Sequence, residues 1–138
     1  MDPQDADEEA WCAERRNDVV QYVRGQGLAH GAVGEVPAWF TAPHISIWAI
    51  ESVKAPGSVG WWAVSGDVPT DYCSAHDCPH PRLAMKRFAE EWQSAIEQTR
   101  PDGATIGETG LPVSLLPLLK ARADLFLKFS ADDELWAD

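Results

Sequence analysis

Apolar and polar positions organise most sharply between Ile45 and Tyr72. Ile45-Ser46-Ile47-Trp48-Ala49-Ile50 and Val59-Gly60-Trp61-Trp62-Ala63-Val64 are runs of β-branched and aromatic residues. Such side chains suit a pleated, half-buried surface and predict two strands. Between them lies Lys54-Ala55-Pro56-Gly57-Ser58. Proline presets φ and glycine accepts positive φ, so the pair predicts a tight reversal and an antiparallel hairpin. Alternation separates Ile45, Ile47 and Ala49 from Ser46, Trp48 and Ile50. Both sets carry apolar bulk, so both faces are expected to be covered, one by helices and the other by the Trp39 segment or a partner. Gly66-Asp67 and Pro69 then mark a turn, after which Tyr72-Cys73-Ser74-Ala75 can return as a short third strand.

A helical period governs the ends of the chain. Residues 5–24 place Cys12, Val19, Tyr22 and Val23 on one face, with Trp11 beside it. Asp5 or Asp7 can cap this helix, and Gly25-Gln26-Gly27 ends it. Arg15-Arg16 is expected on its outer face. Pro81 suits a first helical turn, where its missing N–H is not needed. Residues 81–98 repeat Ala84, Phe88, Trp92 and Ala95 at helical spacing, an aromatic stripe that predicts core and packing on the sheet. A last helix is expected over residues 113–130, with Leu115, Leu118, Leu119, Leu125, Phe126 and Phe129 in its stripe and Ser114 as its cap. Leu135 and Trp136 either fold back on the core or anchor a partner. Two segments lack regular punctuation: GQGLAHGAVGEVPAWFTAPH (25–44), whose glycines and prolines predict a long irregular loop, and RPDGATIGETG (100–110). The expected fold is α+β, a small antiparallel β-meander packed by an N-terminal helix and two C-terminal helices, in a single domain over residues 1–138.

Composition narrows the function. Hydrophobic residues make up 45% of the 138, as in a globular protein, and no apolar run is long enough to span a bilayer. The acidic start lacks a basic-then-apolar leader pattern, and three cysteines do not make a disulfide framework, so a cytoplasmic location is expected. The net charge of −11 disfavours nucleic acid and anionic membrane surfaces and favours a basic protein partner. There is no phosphate-binding glycine loop, nucleophile elbow or H-E-x-x-H motif.

The candidate chemistry is polar and scattered. Asp67, Thr70, Asp71 and Tyr72 can meet at a sheet edge, or serve as turn residues bonding nearby amides. Glu35 and Trp39 in the long loop and Glu51 at the end of the first strand complete a candidate binding set, with His30 or His44 as a possible base. Cys73, His76, Cys78 and His80 offer soft and imidazole donors, but the C-x2-H-x-C-x-H spacing is tighter than patterns that reach a tetrahedron. Neither a metal nor another cofactor is expected, and His80 suits a helix cap.

WCAERR, GLAHGAVGEVPAW, ISIWAIES, PGSVGWWAVSGDVPTDY, HPRLAM and DDELW together resemble a family of short bacterial proteins, domain-of-unknown-function family 4826. The resemblance spans almost the whole chain. It implies a stand-alone bacterial domain and brings no activity, cofactor or catalytic residue. The family's stretch after the Tyr72 position carries no cysteine–histidine cluster, which speaks against a metal role there. The leading expectation is a non-enzymatic, acidic protein-binding module, an immunity-type or regulatory inhibitor of a basic partner. The alternative is a small-ligand pocket or enzyme using the Asp67–Tyr72 corner and the 25–44 loop. The protein is expected as a monomer or a homodimer.

Overall fold

A computed structural model describes residues 3–76 and 78–137. Its elements are α1 (Pro3–Gly25), β1 (Trp39–Thr41), β2 (Ile45–Glu51), β3 (Val59–Gly66), β4 (Val68–Ser74), α2 (Pro81–Glu97), a 3-10 turn at Val113–Leu115 and α3 (Leu116–Ala131). The fold is α+β: a four-stranded antiparallel sheet in the order β1-β2-β3-β4, one N-terminal helix and two C-terminal helices. The chain forms two compact units, Met1–Ala84 and Met85–Asp138. Among the described residues, no helix is long and apolar enough to cross a membrane.

In the first unit the meander follows its turn chemistry. Gly57 takes φ 89° in the β2–β3 reversal, where Ser52 N–H donates to Ser58 O and Ser58 N–H to Ala55 O. The β3–β4 reversal is tighter. Gly66 has φ 133°, and a Cβ there would collide with the carbonyl oxygen of His44, so no other residue fits. Alternation along β2 and β3 gives two buried faces. Trp48, Ile50 and Ala63 share a core with Val19 and Val23 of α1 and with Val33, flanked by Cys12, Val20, Tyr22, Leu28, Trp61 and Tyr72. Ile45, Ile47, Trp62, Val64 and Cys73, on the other face, are buried as well. Trp62 donates its indole N–H to Cys78 O at 2.7 Å, which ties the backbone at Cys78 to the sheet.

Burial on the α1 side includes a polar chain. The Trp48 indole donates to Ser46 Oγ (2.8 Å), Ser46 Oγ donates to Ser65 O (2.9 Å), and Ser65 Oγ donates to Asp18 Oδ2 (3.0 Å). Arg15 Nε lies 2.9 Å from the same Asp18 oxygen, and its guanidinium sits 5.7 Å from the centre of the Trp11 ring. Ser46 and Ser65 are fully buried. This chain satisfies an indole N–H that would otherwise be costly inside the core.

Several expectations are corrected. The Trp39 segment does not cover a face; it extends the sheet as β1, with Trp39 opposite Ile47 and Thr41 opposite Ile45. The 25–44 loop is only partly irregular. Gly31 N–H donates to Glu51 O, Glu51 N–H to Ala32 O and Gly34 N–H to Ala49 O, so residues 31–34 also pair along β2. Buried Val33 anchors this stitch by apolar burial. Arg16 is not on an outer face: it is part-buried and donates from Nε to Gly34 O and from Nη2 to Val33 O, both at 2.9 Å. The return strand is longer than expected, because Pro69 is accommodated at an edge, where one missing N–H does not break a ladder. Ser114 does not cap α3. Pro117 occupies the first turn, Leu115 is the N-cap residue, and Ser114 lies in the preceding 3-10 turn.

In the second unit, Phe88 stacks on Trp92 (5.9 Å between ring centres) and Trp92 meets Phe126 of α3 at 5.1 Å, so the aromatic stripe is core. The 99–112 loop is pinned by buried Ile106, whose N–H donates to Leu111 O. Trp136 folds back and donates its indole N–H to Phe129 O at 2.8 Å, while Leu135 is 37% exposed.

Candidate functional site

The first two turns of α1 carry Asp5, Asp7, Glu8 and Glu9, and no residue of the helix from Gln4 to Asp18 is fully buried. The acidic residues of this half point away from the core, while Cys12 packs against it. Asp5, Glu8, Glu9, Cys12 and Arg16 recur at helical spacing and form one stripe. Facing the stripe is the excursion Glu35-Val36-Pro37, which bows outward between the two stretches stitched to β2. Arg16 holds the foot of that excursion through the Val33 and Gly34 carbonyls.

The result is an open groove of about 850 Å³. Its walls are Asp5, Glu8, Glu9 and Arg16 on one side and Glu35 on the other; Cys12, Ala13, Val36, Pro37 and Phe40 supply apolar surface. Val36 is 75% exposed and Phe40 39%. Phe40 touches Trp11, with ring centres 6.4 Å apart. Past that ridge, a smaller pocket of about 240 Å³ is lined by Gln4, Asp7, Glu8, Trp11, Ala42 and Pro43. Glu8 borders both. Asp5, Asp7, Glu8, Glu9 and Glu35 make no ion pair among the described residues. Burial, and then the nearby Glu8 carboxylate, push the Cys12 thiol above its usual pKa.

The residues singled out from sequence do not all meet. Glu35 lines the groove. Trp39 pairs with Ile47 and belongs to the opposite face of the sheet from Phe40. Glu51 serves the hairpin: its Oε2 accepts the Gly57 N–H at 3.0 Å. Asp67 is exposed in the β3–β4 turn, its N–H donating to His44 O. Asp71 lies opposite Val64 and Tyr72 opposite Ala63, so these neighbours, with Thr70 next to Asp71, alternate between two faces of an edge strand. Asp71 Oδ1 accepts the Tyr72 N–H at 2.8 Å. Tyr72 meets Tyr22 edge-on at 6.1 Å. Burial, then Asp71, then Tyr72 push the Tyr22 hydroxyl up to about 12. His30 Nδ1 lies 2.6 Å from Gly31 O, and His44 is exposed.

Cys73 and Cys78 are buried whereas His76 and His80 are exposed. Among the described residues, no group of three or more His, Cys, Asp or Glu side chains could hold a metal ion. His80 Nδ1 accepts the Arg82 N–H at 3.0 Å and so caps the start of α2. Asp5 and Glu8 could be found on one helical stripe from sequence spacing alone; that Val36 and Phe40 lie across from them could not.

Fold and groove define a small α+β protein with an open groove that is apolar at its floor and acidic at its rim. The chain belongs to the family described as Domain of unknown function (DUF4826), whose model matches residues 5–136. No curated protein and no solved structure matches it.

Proposed function

We propose that this protein is a non-enzymatic binding module that occupies a basic surface on another protein, as an immunity-type or regulatory inhibitor does. The observation that carries this reading is the groove beside α1: Asp5, Glu8, Glu9 and Glu35 rim an exposed apolar floor, without a paired cation among the described residues. On a chain of net charge −11, that potential steers a basic partner toward the groove and repels nucleic acid and anionic membranes. We take the module to act in the cytoplasm, as a monomer or a homodimer. The alternative, a small-ligand or enzyme site at Asp67–Tyr72, has less support, because Asp71 and Tyr72 face opposite ways and the Glu51 carboxylate is engaged in the hairpin.

The test is capture from a bacterial lysate with the wild type and an Asp5→Asn/Glu8→Gln/Glu9→Gln variant, at low and high salt. The expected result is a stoichiometric basic protein that the wild type holds at low salt, releases at high salt, and that the variant fails to hold. Retention indifferent to both salt and the three substitutions would refute the reading.

A further inference from the structure

Two adjoining cavities of unequal size share one carboxylate, Glu8, and are separated by the Trp11–Phe40 ridge. The larger one presents Val36 and Phe40, two of the six large hydrophobic side chains exposed on the described surface. The smaller, at about 240 Å³, falls below the roughly 300 Å³ at which small-molecule sites begin, yet leaves space for one long side chain. Its charges are the carboxylates of Asp7 and Glu8. The Trp11 indole is already engaged by Arg15 at 5.7 Å, so an incoming cation would be matched by the two carboxylates before the ring.

We infer that the groove reads its basic partner at two points: a lysine or arginine side chain enters the Asp7–Glu8–Trp11–Pro43 pocket, and an apolar side chain next to it in that partner covers Val36 and Phe40. The occupant is a short protein segment in which basic and apolar residues are neighbours. This rests on the protein-binding reading above and adds the apolar contact to it. A purely electrostatic surface would leave Val36 in water. A purely apolar one would not be rimmed by five carboxylates that lack an ion pair among the described residues.

Short acetylated and amidated peptides test this on the full chain, followed by backbone and indole NMR shifts. One alternates lysine with leucine, one lysine with serine, and one glutamate with leucine. The lysine–leucine peptide should shift the Val36 and Phe40 amides and the Trp11 indole signal, and bind about tenfold more tightly than lysine–serine, the effect of burying part of one leucine. The glutamate–leucine peptide should not bind. Val36→Ser, at an exposed position that leaves folding intact, should erase the leucine preference; Glu8→Gln should weaken both lysine peptides about threefold, as a solvent-exposed charge pair would. Equal affinity for the leucine and serine peptides, or shifts confined to other surfaces, would overturn the inference. So would self-association that Val36→Ser abolishes, because the groove would then belong to a second copy. If the lysate partner is retained normally by Val36→Ser, the two-point reading falls while the protein-binding reading stands. If neither lysate nor peptide yields a salt-sensitive ligand, both fall.

Discussion

Arg16 is where a single side chain links the fold to the groove. Its guanidinium donates to the carbonyls of Val33 and Gly34, seventeen and eighteen residues away, at 2.9 Å each. A hydrogen bond with one charged partner contributes about 1.5–3 kcal/mol when shielded from water. Arg16 is only part-buried, so water competes for both, and a combined contribution of about 2 kcal/mol is expected for the pair. Arg16→Ala should therefore lower the urea midpoint by about 1 M, taking a slope of about 2 kcal/mol per M. Arg16→Lys separates charge from geometry. An ammonium keeps the charge but lacks the planar fork that meets two carbonyls at once. If the fork matters, lysine recovers about half of the loss; if charge alone matters, it recovers all of it. Amide exchange localises the effect. Gly34 N–H, bonded to Ala49 O, and Ala38 N–H, bonded to Ile47 O, flank the excursion and should exchange faster in Arg16→Ala, while the β2–β3 ladder keeps its protection. A stability loss below about 0.5 kcal/mol, the range of an ordinary surface substitution, would refute the argument. Uniformly faster exchange across the sheet would refute it as well.

Three further outcomes follow from the same contacts. Ser46→Ala removes the acceptor of the buried Trp48 indole and one donor to Ser65 O, and should cost about 1–3 kcal/mol in urea unfolding; Ser46→Thr, which keeps the hydroxyl, should recover part of it. Gly66→Ala combines a positive φ with a collision against the His44 carbonyl and should destabilise by more than about 1 kcal/mol, whereas Gly57→Ala in the exposed hairpin turn, where a Cβ meets nothing within 4 Å, should cost less. Tyrosinate absorbance should show one of the two tyrosines titrating near pH 12, a component that Tyr22→Phe abolishes and Asp71→Asn moves lower. Because the folded pKa of Tyr22 is raised above its ordinary value of 10.0, its contribution to stability is complete below pH 10 and is lost as pH rises toward about 12.

Much of the architecture was legible in short-range pattern. The β2–β3 hairpin follows from β-branched alternation and Pro56-Gly57; α2 begins at Pro81 behind a capping His80; the Phe88–Trp92 stripe is core. These features depend on residues two to four positions apart, and side-chain period and turn preference act over that distance. Membership of the DUF4826 family was legible for a related reason, since its motifs are local runs spread along the whole chain. What lay beyond reach is what joins distant segments. Arg15-Arg16 reads as a solvated pair because helical periodicity says nothing about carbonyls arriving from residues 33 and 34. Residues 31–34 read as loop because their partners are 49–51, and their own stretch has no alternation. Glu35, Trp39 and Phe40 are near neighbours in sequence, yet pairing with β2 puts Phe40 beside Trp11 and Trp39 on the other face. The sequence by itself determined which segments become helices and strands, and that the surface is strongly acidic. Tertiary structure alone decided that the acid of α1 faces the apolar excursion at Val36, because strand pairing and the Arg16 fork, not any local preference, bring the two together.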